Sequence, residues 1–337
     1  MKNMKLLVTG GAGFIGSNFI NYWLNEYKDD SIVNLDVLTY AGNLENLKIW
    51  QNDSRYRFVK GDILEKDLVR DLVNEVDIVV HFAAESHVDR SIHGPEIFTR
   101  TNVLGTQTLL EAAKEFGKRF HHVSTDEVFG SLALNEPAST EDSPYRPRSP
   151  YAASKAASDH LVRAYGVTYN LPVTISNTSN NYGPYHFPEK IIPLFITNLI
   201  DGKKVPVYGD GLQVRDWIHV LDHCRGIDLV LKKGRIGETY LFGGENQTTN
   251  LELTKMILDL LDIDETFIEH VEDRKGHDRR YDINCEKART ELGWERKIEL
   301  NDGLKETVQW FLDNEDWWRR CKNGEYLKFY QQNYKMN

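Results

Sequence analysis

Cysteine is scarce. The three present, Cys224, Cys285 and Cys321 in 337 residues, are odd in number, widely spaced and in no Cys-x-x-Cys pair, which argues against a disulfide framework or zinc knuckle and fits a reducing, cytoplasmic setting. No apolar run reaches membrane-spanning length, so no membrane partner is expected. The apolar residues near the N-terminus run straight into glycines rather than a cleavage site, and residue 1 is expected to belong to the fold. Long blocks of one charge are missing too. The formal charge of 41 minus 51, or -10, is spread along the chain, which argues against nucleic acid and leaves any anionic substrate to locally placed Arg and Lys. No repeat or low-complexity segment appears. What is there is an enzyme-sized soluble chain, 40% apolar, able to bury a substantial core and long enough for two lobes.

Strand-like and helix-like segments alternate from the start. Lys5-Leu6-Leu7-Val8 reads as a short buried strand, and Thr9-Gly10-Gly11-Ala12-Gly13-Phe14-Ile15-Gly16 leads into a helix running to about Tyr27. Gly11-x-Gly13-x-x-Gly16 satisfies the dinucleotide fingerprint: one glycine for the turn, one for backbone approach to pyrophosphate, one for helix–strand packing. The next strand, Ile32-Val33-Asn34-Leu35, ends in Asp36, an acid suited to ribose hydroxyls and repulsive to a 2′-phosphate, which favours NAD over NADP. Further strands are expected at 57–60, 77–82 and 120–124, with helices at 65–74 and about 95–116. This is the rhythm of an α/β protein with a Rossmann-type doubly wound parallel sheet. Polar residues at the carboxyl ends of such strands face the ligand. Gly61-Asp62-Ile63 suits an adenine edge, and Ala83-Ala84-Glu85-Ser86-His87 runs from the fourth strand toward the crevice, although capping explains any one of these as well. After 173–176 the turn-rich, aromatic run Asn180 to Pro188 marks a crossing to a second lobe. Helices are expected there at 189–201, 221–232, 251–261, 286–292 and 302–314, with short strands at 205–208 and 239–242.

Two clusters carry chemistry. Tyr151 and Lys155 stand four apart on one helix face; an ammonium beside the phenol, with a cationic nicotinamide, favours the phenolate and lowers a pKa normally near ~10. Tyr56 and Lys60 share the spacing but lead into a strand-like run, whereas Tyr151 follows Ser149-Pro150, a helix start. Ser124-Thr125-Asp126-Glu127-Val128-Phe129-Gly130 closes the fifth strand. If the strand ends at Ser124 and the chain turns, both carboxylates reach one substrate and repulsion splits their pKa values into an acid and a base. A surface Asp-Glu pair is the plain alternative, disfavoured by the place beside the expected nicotinamide. His219 and His223 have the spacing of a metal pair, but no carboxylate motif accompanies them; a packed or surface helix face is the reading taken, and no metal is expected.

Six segments in one order, TGGAGFIG at 9–16, AAESHVDRS at 83–91, STDEVFG at 124–130, YAASK at 151–155, SNNYGPYHFPEK at 179–190 and DRKGHDRRY at 273–281, carry a resemblance over nearly the whole length. The chain resembles the extended short-chain dehydrogenase/reductases, and within them the dTDP-glucose 4,6-dehydratase family. Lys275 departs from the pattern, standing where many relatives carry proline or an apolar residue. The resemblance implies a lyase with a tightly held, regenerated NAD and an active site of Thr125, Asp126, Glu127, Tyr151 and Lys155. Tyr151 would take the C4 hydroxyl proton as hydride leaves C4, with Thr125 on that oxygen and Lys155 on phenolate and ribose. Glu127 would remove the C5 proton, Asp126 protonate the departing C6 hydroxyl, and hydride return to C6, giving a nucleotide-linked 4-keto-6-deoxy sugar and water.

Cofactor contacts implied are Gly10, Gly13, Phe14, Ile15, Gly16, Asp36, Leu38, Thr39, Asp62, Ile63, Ala83, Ala84, Ser86, Thr101 and Asn181, beside Tyr151 and Lys155. For the nucleotide sugar, Asn180, Lys190, Arg215 and His277 suit a diphosphate. Pro206, Val207 and Tyr208 would flank the base, Asn250 and Asp273 lie near the nucleotide end, Ile191 adds a contact, and Ser86 and Thr125 meet the sugar. For Arg215 a structural pairing with Asp216 or another acid is the plain alternative. The division expected is an NAD-binding domain over 1–178, with return segments near 216–242, and a smaller mixed α/β domain over 179–337 that mainly binds the nucleotide sugar. A homodimer is implied, through helices near 95–116 and 150–169. The rival readings are a UDP-glucose 4,6-dehydratase, a nucleotide-sugar 4-epimerase, which usually carries small or apolar residues in place of Asp126 and Glu127, and a non-catalytic NAD-binding scaffold.

Overall fold

The structure, a computed structural model, describes residues 3–322 together with Tyr326 and Tyr330. Six strands, β1 (Lys5–Thr9), β2 (Ser31–Asp36), β3 (Tyr56–Lys60), β4 (Ile78–His81), β5 (Arg119–Thr125) and β6 (Val173–Thr178), join a seventh, Thr239–Phe242, in one parallel sheet. The order across it is β3, β2, β1, β4, β5, β6 and then the seventh strand. The chain winds from β1 to one edge, returns to β4 and winds to the other, which is the doubly wound arrangement expected. A crevice opens where the direction reverses, at the carboxyl ends of the strands. Register brings Thr9 level with Leu35 and His81, and His81 level with His122, so the loops after β1, β2, β4 and β5 leave the sheet side by side.

Burial on both faces explains why the central strands read as near-continuous apolar runs. Leu6, Val8, Ile32 and Val80 pack with Phe19, Ile20 and Trp23 of the helix Phe14–Glu26 and with Cys224 and Ile227 of the helix Val220–Lys233. On the opposite face Leu7, Val33, Leu35, Val79 and Phe120 meet Val69, Leu72, Leu109, Leu110 and Val162, the period-two alternation of a strand. A separate core gathers Ile192, Phe195, Val207, Trp217, Leu253, Leu304, Phe311, Trp317 and Trp318. Its helices are Ile191–Ile200, Asn250–Leu260, Leu300–Asp313 and Glu315–Cys321, and a reciprocal Thr249–Glu252 box opens the second of them.

Several elements differ from the sequence expectation. The helix expected over 95–116 is α-helical at Pro95–Phe98, widens to π-helix over Thr99–Gly105 and is α-helical again over Thr106–Phe116. The wide turn surrounds Asn102, whose side chain bonds Glu85 N and O and Ser154 Oγ while its carbonyl takes a bond from Thr106 Oγ1, the kind of side-chain insertion that loosens a helix. The helix expected from residue 189 begins at Ile191, and that over 286–292 is π-wound over Ala288–Leu292. Two short strand pairs and one partner strand escape periodicity because each is only two to four residues long: Asn180–Tyr182 with Trp217–His219, Val214–Arg215 with Thr248–Thr249, and Ile268–Val271, which pairs with the expected strand Val205–Tyr208.

Candidate active site

Gly10 leaves β1 with φ at +70°, and a Cβ there would stand 2.6 Å from the backbone of Ala83; at Gly16 it would stand 2.4 Å from the Gly10 carbonyl oxygen. Only glycine allows this approach. Gly13 caps the helix Phe14–Glu26 without a side-chain acceptor for its first amides, leaving N–H groups and the positive helix end for an anion. Asp36, at the end of β2, takes bonds from Ala12 N at 2.9 Å and Leu38 N at 2.8 Å. Burial pushes its carboxyl up and these two bonds pull it back. The cradle, which any side chain would fill, and the acid beyond it fit a dinucleotide.

Ser149 and Pro150 start the helix Pro150–Tyr169 as their chemistry predicts, with Ser149 Oγ accepting from Ala152 N at 3.0 Å. Tyr151 and Lys155 share its buried face, 9% and 4% exposed. Lys155 Nζ donates to Val123 O at 2.9 Å and lies 3.3 Å from His122 Nε2. Burial draws the ammonium down to about 8 and the Asp159 carboxylate opposes that. The phenol departs from expectation: in the protein alone it is pushed above its ordinary value, first by burial and then by the charge of Glu127, with a hydrogen bond to Thr125 pulling the other way. Lys155 spends a donor on β5, and desolvation sets the direction of the phenol's shift.

The fifth strand runs one residue past Ser124, to Thr125, and then turns. Asp126–Phe129 forms a 3₁₀ turn in which Thr125 Oγ1 accepts from Glu127 N at 3.3 Å. It closes at Gly130, φ +81°, where a Cβ would strike the Arg146 carbonyl at 2.2 Å. The turn brings both carboxylates to one cavity. Asp126 is 3% exposed; Oδ1 accepts from Thr125 Oγ1 at 3.3 Å, and Oδ2 has no hydrogen-bond partner among the described residues. Burial, then the charges of Glu127 and Asp216, hold this carboxyl well above its ordinary value. Burial also raises Glu127, but Arg274, Lys190 and Arg215 all act to lower it. Both carboxyls are raised, Asp126 the further of the two, which suits Asp126 as the acid and Glu127 as the base.

One cavity of about 480 Å³ runs past these groups. On its wall lie Gly10, Gly13, Phe14, Ile15, Gly16, Asp36, Thr39, Asp62, Ile63, Ala83, Ala84, Ser86, Thr101 and Asn181, then Thr125, Asp126, Glu127, Tyr151 and Lys155, and also Asn180, Lys190, Ile191, Pro206, Val207, Tyr208, Arg215, Asn250 and His277. Two predicted residues do not line it. Leu38 contributes its N–H to Asp36. Asp273 lies 2.6 Å from His277 Nδ1 and accepts from Gln213 Nε2 at 3.2 Å, so it orients the histidine that does line the wall. Arg215 donates to the carbonyls of Val214 and Asp278, and its guanidinium sits 4.3 Å over the Tyr281 ring. Asp216 instead accepts from Gly244 N and Asn246 N, so the structural pairing with Arg215 is not what holds either. Lys190 Nζ donates to Ser86 O at 2.8 Å. His219 caps the helix Val220–Lys233 and His223 Nδ1 lies 2.9 Å from Asn181 Oδ1.

Sequence reasoning missed Arg274, Tyr281, His186 and Glu189, all on the wall. The signal was available: the first two lie in the same nine-residue segment as Asp273 and His277, the others in the aromatic segment before Lys190.

Comparison with known proteins agrees with this geometry. The GDP-mannose 4,6 dehydratase family model matches residues 7–307. A dTDP-glucose 4,6-dehydratase from Escherichia coli is 48% identical over 98% of this chain and 99% of its own, and one from Xanthomonas campestris pv. campestris is 51% identical over 95% and 96%. The crystal structure of the dTDP-glucose 4,6-dehydratase DesIV from Streptomyces venezuelae, with NAD and dTDP bound, is similar with a TM-score of 0.92 and 54% identity over 95% of this chain and 100% of that one.

Proposed function

The chain belongs to the dTDP-glucose 4,6-dehydratase family, and from that premise we propose that it is an NAD-dependent lyase converting dTDP-glucose to dTDP-4-keto-6-deoxy-glucose and water. The single observation that carries the reading is the pair Asp126 and Glu127 at the turn after β5, both raised, Asp126 the further and Glu127 countered by three cations, in the cavity that also holds Tyr151. An epimerase has no use for that pair, since it moves no hydroxyl off C6.

NAD, when bound in the glycine cradle, supplies the acceptor that takes hydride from C4 and returns it to C6. Tyr151 takes the proton of the C4 hydroxyl, and Thr125 hydrogen-bonds the same oxygen. The ketone formed at C4 acidifies C5, where Glu127 removes the proton. Asp126 gives its proton to the C6 oxygen, the C–O bond breaks and water leaves. The proton on Glu127 exchanges with solvent before Glu127 delivers a proton back to C5, and the proton gained by Tyr151 balances the one Asp126 lost. Lys155 compensates the phenolate charge. Arg215, His277 and Asn250 hold the nucleotide diphosphate, and Pro206, Val207 and Tyr208 flank the base.

In this reading residues 1–178, with 216–242, hold the cofactor and the rest of 179–337 mainly holds the nucleotide sugar. The protein works in the cytoplasm as a homodimer; its three buried thiols suit a reducing compartment, and Ile97, Leu104 and Val167 on the two implied helices are exposed. Light scattering should return twice the chain mass of 39.0 kDa, and a monomer would remove the dimer. Among the described residues no helix is long and apolar enough to cross a membrane. Proton NMR of the reaction in deuterium oxide tests the chemistry: a C6 methyl group with deuterium at C5 is the expected product, and a retained C6 hydroxymethyl group would refute it.

A further inference from the structure

Pro184–Lys190 is bonded to the helix Phe14–Glu26, to the loop after β2 and to the helix Val88–His93, all on the cofactor side of the cavity. At the glycine loop, His186 stacks on Phe14 with ring centroids 4.1 Å apart, and Asn18 Nδ2 donates to Pro184 O at 2.9 Å. At the loop after β2, Tyr40 OH donates to Glu189 Oε1 at 2.8 Å. Beyond β4, Arg90 Nε donates to Glu189 Oε2 at 3.1 Å and its guanidinium lies 3.7 Å over the Tyr40 ring. Glu189 is 5% exposed and the reaction gives it no task. Binding both oxygens offsets the cost of holding a carboxylate this deep, and here one oxygen reaches the loop after β2 and the other the helix Val88–His93.

We propose that Glu189 is a cofactor-retention residue: through Tyr40 and Arg90 it ties the strap Pro184–Lys190 across the dinucleotide groove, so that the cofactor leaves only when those bonds open. The inference rests on the NAD-dependent reading above. It supplies what that chemistry requires, because the reduced cofactor must wait for its own oxidised sugar.

The test is the rate at which reduced NAD leaves and enters the purified protein, followed by nicotinamide fluorescence. Tyr40→Phe keeps the ring beneath Arg90 and removes only one donor; Glu189→Gln weakens both arms. Release should quicken about tenfold in the first and about a hundredfold in the second, with association also faster, since a strap obstructs both directions. Release within about twofold of the parent in both variants would overturn the inference. So would release that quickens while association slows, the mark of a damaged pocket. A parent protein that binds no dinucleotide would overturn the NAD reading and the strap with it, and is told apart because the parent itself fails.

Discussion

Asp126→Asn separates the acid from the rest of the machinery. The native carboxyl is buried and held well above its ordinary value, and its Oδ2 has no partner among the described residues, so a neutral amide of the same shape suits the site and keeps the Thr125 bond. Stability should change by less than about 1 kcal/mol. Turnover should fall about 10²- to 10⁴-fold, about 3–5 kcal/mol in the barrier, because an amide cannot protonate the C6 oxygen. Oxidation at C4 and removal of the C5 proton do not use Asp126, so reduced nicotinamide should form and recovered dTDP-glucose should carry deuterium at C5 after incubation in deuterium oxide. Glu127→Gln should show the reverse, with C4 oxidation but no C5 exchange. Burial raises the Glu127 carboxyl overall despite the three cations, so the neutral amide should fold no less stably than the parent. Turnover of Asp126→Asn within about fivefold of the parent, or C5 exchange in Glu127→Gln, would refute the assignment.

Tyr151→Phe removes one oxygen from a ring that packs edge-on to Phe98; turnover should fall at least about 10²-fold with no reduced nicotinamide formed and an unchanged melting temperature. Gly16→Ala places a Cβ 2.4 Å from the Gly10 carbonyl and should cut the NAD retained through purification at least about tenfold, measured as dinucleotide per chain. His223 is buried and drawn down to about 3 by desolvation. Its folded pKa lies below the unfolded ~6.5, so the stability it carries is full above that pH and lost as pH falls toward 3; between pH ~7 and ~5 the loss is about 2 kcal/mol. Denaturant midpoints at those two pH values should therefore fall by less in His223→Asn than in the parent, and equal slopes would contradict the reasoning.

The sheet was legible because helices cover both of its faces, which makes the runs Leu6–Val8 and Ile78–Val80 apolar throughout, and because Gly10, Gly13 and Gly16 answer to local backbone geometry. The helix start at Ser149-Pro150 was legible for the same reason. The direction of the Tyr151 shift was not: it depends on how completely the ring is buried and on Glu127, which arrives from another strand. Glu189 joins Tyr40 and Arg90 across 149 and 99 residues, contacts that leave no periodic trace. Asp216 was the plain structural alternative for Arg215; adjacent residues of extended chain point apart, and the guanidinium lies over Tyr281. Asp273 looked like a ligand contact from its motif, yet its carboxylate serves His277.

The most direct measurement is the mass of dTDP-glucose after incubation with the purified protein and no added NAD. Loss of one water, at catalytic turnover, is the predicted result and requires both the dehydratase and a cofactor retained through purification. An unchanged mass with an inverted C4 centre, or no change even with NAD supplied, would contradict it.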